Sequence, residues 1–240
     1  MQKKILGIIP ARGGSKSIPR KNIKLFAGKP LINWSIEIGL QSGILDRLIV
    51  STDDQEIAEM SKNAGAEIPF MRPKELAEDA TPTLLVLQHV VTALKETEGY
   101  ESEYILLMEA TSPCRQSFHI QEAVKILEET GADSVVSLGE VPKHFSPLWQ
   151  FNIDTEKKIE PFMGGSIVNV ICRRQDLPAT YFRNGAFYLF KTELLFAPEP
   201  SLYGNDVRGY VLDSKYSVDI DTQEDWVHAE RVFASLITKN

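Results

Sequence analysis

Long apolar runs are missing from this 240-residue sequence: the stretch from Ile5 to Ala11 falls far short of the ~20 residues that a membrane span needs. Lys3-Lys4 precede only that seven-residue run, which Arg12 ends, so neither a signal peptide nor an anchor is readable. Cysteine is scarce. Cys114 and Cys172 lie 58 positions apart, and the four histidines (His89, His119, His144, His228) form no His-x-His or His-x-x-x-His pair, which excludes structural zinc and fits a reducing cytoplasm. Positive charge is also in deficit, since 26 Lys and Arg against 33 Asp and Glu leave a net charge of −7. No global field is available to hold a phosphate backbone, so nucleic-acid binding is disfavoured. Internal repeats and low-complexity tracts are absent. What is present is 43% hydrophobic residues, enough for a folded core.

Those residues fall in short apolar runs that alternate with stretches of helical period, the pattern of parallel strands linked by crossover helices. Strands are expected at Ile5-Ala11, Arg47-Ser51, Tyr104-Ala110, Ser134-Leu138, Ala186-Phe190 and Gly209-Leu212. Helices are expected at Leu31-Gln41, Asp54-Asn63, Thr83-Lys95, Ile120-Glu129 and Asp225-Leu236. Thr81-Pro82 opens one helix, Gly65 and Gly131 follow the ends of two others, and Ser112 could cap a further start. The fold class is α/β, a Rossmann-like, mostly parallel sheet with helices on both faces. A single domain, 1–240, is interrupted between about Val141 and Arg183 by a segment rich in Pro and Gly that reads as an inserted arm or lid.

Chemistry concentrates in the loop after the first strand, Pro10-Ala-Arg-Gly-Gly-Ser-Lys-Ser-Ile-Pro-Arg-Lys-Asn22. Gly13 and Gly14 let backbone N–H groups approach an anion, and Arg12, Lys16, Arg20 and Lys21 supply cations of the number a triphosphate requires. The alternative is a solvated basic turn. A Walker loop is excluded because Ser15 precedes Lys16, and a dinucleotide fingerprint because Pro19 and Pro30 delay the helix. Farther on, Asp219 and Asp221 stand two apart at the end of the last strand region, so both carboxylates can face one hard cation such as Mg²⁺. Helix capping by Thr222 with Asp225, or by Asp221, competes with that reading. Arg72 lies in a polar loop before a helix, Arg115 hints at a ligand, and Arg173 and Arg174 flank the arm. No Gly-x-Ser-x-Gly elbow occurs, so serine-triad hydrolysis has no support.

Taken in order, Ile9-Pro-Ala-Arg-Gly-Gly-Ser-Lys16, Pro19-Arg-Lys-Asn22, Val50-Ser-Thr-Asp53, Arg72-Pro-Lys-Glu-Leu-Ala-Glu-Asp79, Thr111-Ser-Pro113, Arg174-Gln-Asp-Leu-Pro178, Asn184-Gly-Ala186 and Asp219-Ile-Asp221 resemble the acylneuraminate cytidylyltransferase family over nearly the whole chain. The resemblance implies the nucleotide-diphospho-sugar transferase type of fold, with transfer of CMP from CTP to the anomeric oxygen of an acidic nine-carbon sugar. It implies that Arg12, Gly13, Gly14, Ser15, Lys16, Lys21, Asn22, Arg72 and Thr83 surround the nucleotide, with Arg12 and Lys21 taking part in transfer. Asp219 and Asp221 would hold Mg²⁺ and complete the catalytic set. Glu109, Arg174, Asn184 and Tyr188 would meet the sugar, and the arm would make a homodimer. Glu109 departs from the family's usual Gln, which puts the identity of the acceptor in question. Competing functions are a nucleotidyltransferase for another sugar or sugar phosphate with a different base, a metal-dependent glycosyltransferase, and a non-catalytic nucleotide sensor.

Overall fold

The computed structural model describes residues 3–237. Strand β1 (Ile5–Pro10) leads through a small hairpin, β2 (Leu25–Phe26) and β3 (Lys29–Pro30), into α1 (Leu31–Gln41), then β4 (Arg47–Ser51) and α2 (Gln55–Asn63). Helix α3 (Thr83–Glu98) precedes β5 (Tyr104–Met108), and α4 (Ser117–Thr130) precedes β6 (Ser134–Glu140). After the arm, with its hairpin of β7 (Phe151–Ile153) and β8 (Ile159–Pro161), come β9 (Tyr181–Lys191), β10 (Val207–Leu212) and α5 (Gln223–Ile237).

The main sheet has six strands in the order β10-β6-β9-β5-β1-β4. Every pairing is parallel except those of β9, which runs antiparallel to both β5 and β6. The crossovers put α1 and α4 on one face, where Ile36 and Ile120 are buried with Leu106 and Met108. Leu87 and Val90 of α3 cover the other face against Ile8 and Leu107. Burial of a large aliphatic side chain in such layers stabilises the fold by roughly 1.5–3 kcal/mol. Helix α5 closes one end through Trp226 and Phe233, whose rings meet Phe26 edge-on at 5.5 and 5.3 Å.

Local chemistry sets the boundaries. Asp54 caps α2 by accepting from the Ile57 N–H at 3.0 Å, and α3 and α4 end at Gly99 and Gly131 in left-handed conformation. Ser112 does not cap α4. The helix starts at Ser117 behind a Gln116 cap whose backbone N–H donates to His119 Nδ1 at 3.0 Å, and the buried Ser112 hydroxyl has no protein partner.

Between β6 and β9 the arm consists of the β7–β8 hairpin and four short 3-10 turns. It is tied internally by Trp149 Nε1 donating to Ile171 O and Lys143 Nζ donating to Leu177 O, each at 2.5 Å. Several of its apolar side chains face outward: Phe145, Ile153, Phe162 and Met163 are exposed, and Val168 is 84% exposed, while Leu177 is buried.

Candidate active site at the carboxyl ends of the sheet

Parallel strands deliver their following loops to one edge of the sheet, and the loops after β1, β4 and β5 meet there. Ala11 still pairs with β4, its N–H reaching Ser51 O at 2.9 Å, before the chain leaves the sheet. Asp53 then accepts from the Gly13 N–H at 3.0 Å. A Cβ at position 13 would stand 2.7 Å from an Asp54 carboxylate oxygen, so glycine is required by close approach. Asn22 closes the loop from the other side, donating through Nδ2 to Arg12 O at 3.0 Å.

The four cations of this loop have separate duties. Arg12 and Lys16 both contact the carboxylate of Asp79, which Lys16 first and Arg12 second hold below the usual carboxylate range. Arg20 pairs with Asp54 and Glu56 and braces the loop against α2. Lys21 donates to Ile220 O at 2.7 Å and lies 3.3 Å from an Asp221 carboxylate oxygen. Gly14 and Lys16 are exposed and Ser15 is half-buried.

Asp219 and Asp221 do not continue a strand: β10 ends at Leu212, and the two acids lie on the loop that leads to α5. Thr222 and Asp225 form the cap, with the Thr222 N–H donating to Asp225 at 2.7 Å and the Asp225 N–H to the Thr222 hydroxyl at 3.2 Å, which leaves the Asp221 carboxylate to Lys21. The loop is pinned to the end of β5 where the Ile220 N–H reaches Thr111 O at 3.0 Å. Solvent reaches Asp219, yet the protein crowded around its cleft raises its carboxyl above the ordinary value, first by desolvation and then by the charge of Asp221.

Glu109 stands at the end of β5. Its carboxyl is pushed up to about 7, by desolvation first and then by Asp219, with Arg115 and Lys21 acting in the opposite sense. Asp221 thus meets the Lys21 ammonium while Asp219 and Glu109 lie within its electrostatic reach, and this excess of acidic groups suits a divalent cation. Among the described residues no three such ligands are close enough to hold an ion by themselves. Two aspartates would leave the rest of the shell to phosphate oxygens and water, as Mg²⁺ commonly has it.

Arg115 is not a ligand residue. Fully buried, it donates to Ala186 O, to Ser35 Oγ at 2.7 Å and to Glu109 O at 3.4 Å, so it clamps the floor of the cleft. Arg72 is also buried, donating to Ser51 O and, at 3.3 Å, to Leu76 O, while its Nε has no partner. Asp53, Arg12 and Glu109 lie within its electrostatic reach. Thr83 opens α3 and is half-buried. Tyr188 lines the cleft near Glu109 and Asp219. The Asn184 side chain is engaged by protein, donating to Ser217 Oγ at 2.9 Å and accepting from the Ala186 N–H at 3.2 Å. Arg174 sits exposed on the arm, and no hydrogen bond or ion pair among the described residues joins it to the cleft.

A family model described as Cytidylyltransferase matches residues 6–232. The chain belongs to the cytidylyltransferase family. N-acylneuraminate cytidylyltransferase A of Danio rerio is 35% identical over 229 residues, 95% of this chain and 50% of that protein. The CMP-N,N'-diacetyllegionaminic acid synthase of Legionella pneumophila is 32% identical over 230 residues, covering 95% of this chain and 96% of that one. The chain thus spans half the length of the first relative and nearly all of the second. A solved CMP:2-keto-3-deoxy-manno-octonic acid synthetase in complex with CTP has the same fold, at a TM-score of 0.68 and 15% identity over 97% of this chain and 99% of that one.

Three features of the site escape sequence reading. Asp53 and Asp79 occur inside quoted motifs, but nothing local marks them as partners of Gly13 or of Arg12 and Lys16. Arg183 and Tyr203, which meet at the outer end of the cleft with Nη1 donating to the phenol at 2.6 Å, carry no motif signal at all.

Proposed function

We propose that this cleft transfers CMP from CTP to the anomeric oxygen of an acidic nine-carbon sugar. A bond forms between that oxygen and the α-phosphorus, the bond to the bridging oxygen breaks, and pyrophosphate and a proton leave. The observation that carries the reading is the junction at Lys21: one ammonium joins the cationic loop after β1 to the aspartate loop before α5, so triphosphate cations and candidate metal ligands share a cleft. Transfer of this kind needs little covalent help from the protein and depends on positioning and charge neutralisation.

In this reading Arg12, Lys16 and Lys21 take the phosphates, Asn22 and Gly13 hold the loop in shape, and Arg72 and Thr83 flank the nucleotide. Asp219 and Asp221 would hold Mg²⁺, which when bound neutralises phosphate charge as it develops. Glu109 and Tyr188 face the acceptor. The arm's exposed apolar side chains support a homodimer in which Arg174 serves a neighbouring cleft, and the two free cysteines suit a cytoplasmic enzyme.

Pyrophosphate release over a panel of nucleoside triphosphates and sugar acids tests the proposal. Release is expected only with CTP and a nonulosonic acid, and Asp221→Asn should lower turnover by about 10²-fold or more with an unchanged circular dichroism spectrum. Wild-type turnover in that variant would remove Asp221 from the metal site.

A further inference from the structure

The antiparallel register of β5 and β9 decides what faces the acceptor. Leu107 pairs with Tyr188, and both pack in the layer under α3; Glu109 is the first residue past the end of β5. Tyr188 is within electrostatic reach of Glu109 and Asp219 on one side and of Arg183 on the other. A row therefore runs outward from the transfer point, from Asp219 through Glu109 and Tyr188 to Arg183.

At the far end of this row the charges are unpaired. Arg183 is exposed and makes no ion pair among the described residues, its side chain bonding only to phenols, those of Tyr203 and Tyr188. The Glu109 carboxylate accepts no hydrogen bond from the described residues. Both contrast with the loop cations, each of which meets a carboxylate.

The partner of Arg183 is firmly placed. Ser134 Oγ donates to Tyr203 O at 2.6 Å, and Asp133, itself paired with Lys191 at 2.7 Å, accepts from the Asn205 and Asp206 N–H groups at 2.9 and 3.1 Å. The Tyr203 ring packs edge-on to Tyr188 at 6.2 Å. This network holds a guanidinium beside Tyr188 with donor capacity to spare, since two phenols cannot occupy all five of its N–H groups.

We propose that Arg183, set by the Tyr203 phenol, reads an exocyclic oxygen at the end of the acceptor sugar remote from its anomeric carbon, the carbonyl of an N-acyl substituent, while Glu109 takes a hydrogen-bond donor nearer the ring. The inference rests on the proposed transfer reaction and adds to it the part of the acceptor that is recognised. Remote contacts of this kind hold the reacting oxygen in line with the α-phosphorus, so they show in acceptor binding and leave the nucleotide untouched.

The test is steady-state pyrophosphate release by the full chain with CTP and a panel of nonulosonic acids that carry or lack N-acyl groups, comparing wild type with Arg183→Gln, Arg183→Lys and Tyr203→Phe. Arg183→Gln should raise the KM for the best N-acylated acceptor by roughly 10- to 100-fold, the loss of a charge-assisted hydrogen bond, at an unchanged KM for CTP. Arg183→Lys should recover part of the loss. Tyr203→Phe keeps the ring packing and should raise the same KM severalfold, and acceptors without the acyl group should respond little to any variant. Equal acceptor KM values for wild type and Arg183→Gln, with CTP-dependent release intact, would overturn this inference alone. No release by wild type with CTP and any acid would overturn the transfer reading and the inference together. A parallel rise in both KM values would show a structural role and overturn it as well.

Discussion

The two sides of the cleft treat charge in opposite ways. On the proposed nucleotide side the loop cations are matched within the protein: Arg12 and Lys16 by Asp79, Arg20 by Asp54 and Glu56, and Lys21 by Asp221. On the proposed acceptor side Glu109 has no donor among the described residues and Arg183 bonds only to phenols. A polyanionic substrate can displace exposed carboxylates from lysine and arginine at little cost, because such pairs are weak in water. The contacts of Asp79 thus keep the loop cations ordered while leaving them available. A sugar offers mostly neutral hydroxyl and amide groups, which compete poorly with a full ion pair, so unpaired groups are the better design for reading it. Beneath both sides lies a third arrangement, the buried Arg115, whose guanidinium serves only backbone carbonyls and a serine.

The comparison can be broken most severely from below. Arg115→Met would take the guanidinium donor from the buried Ala186 carbonyl and from the Ser35 hydroxyl and leave the Glu109 carbonyl to Ser35 alone, and each such loss costs about 1–3 kcal/mol. Urea unfolding should show the variant destabilised by about 3 kcal/mol or more, with acceptor turnover falling because the floor under Glu109 loosens. A change under about 0.5 kcal/mol, the level of an ordinary surface substitution, would mean that Arg115 does not clamp the cleft. On the proposed nucleotide side, Lys21→Ala should depress kcat by about 10²-fold, since Lys21 joins the two loops between which the proposed transfer rearranges phosphate charge. An effect confined to the KM for CTP would reduce Lys21 to a docking residue. The smallest expected effect sharpens the contrast between exposed and unpaired charge: Asp79→Asn frees Arg12 and Lys16 and should lower the KM for CTP about two- to fivefold, with the acceptor KM unchanged. A higher KM for CTP would show that Asp79 orders the cations more than it competes for them.

Much of the frame was readable from pattern. The bounds expected for α1 and β4 coincide with those observed, because an amphipathic period and a short apolar run each end at clear polar or glycine signals. β9 was harder. It begins at Tyr181, five residues before the expected Ala186, since Arg183, Asn184 and Gly185 interrupt the apolar run, and its antiparallel direction has no local signature. The β2–β3 and β7–β8 hairpins are two and three residues long per strand, too short to show a period. α4 begins at Ser117, three residues before the expected Ile120, because its cap is Gln116 with His119, a pairing that propensity ranks low.

For the site, residue type and spacing carry the inventory: the glycine-bearing cationic loop, the aspartate pair, and the family that their order marks, because each motif is local. The partners come from the fold. Lys21 meets Asp221 across 200 positions, Arg12 meets Asp79 across 67, and Arg183 reaches Tyr203 through a turn anchored on Asp133. Hydrophobic periodicity fixes which face of an element is buried, but which loops then converge depends on strand order and direction, and those are set by packing between distant segments. Whether a charge ends up matched, clamped or left free for a substrate is a property of that convergence.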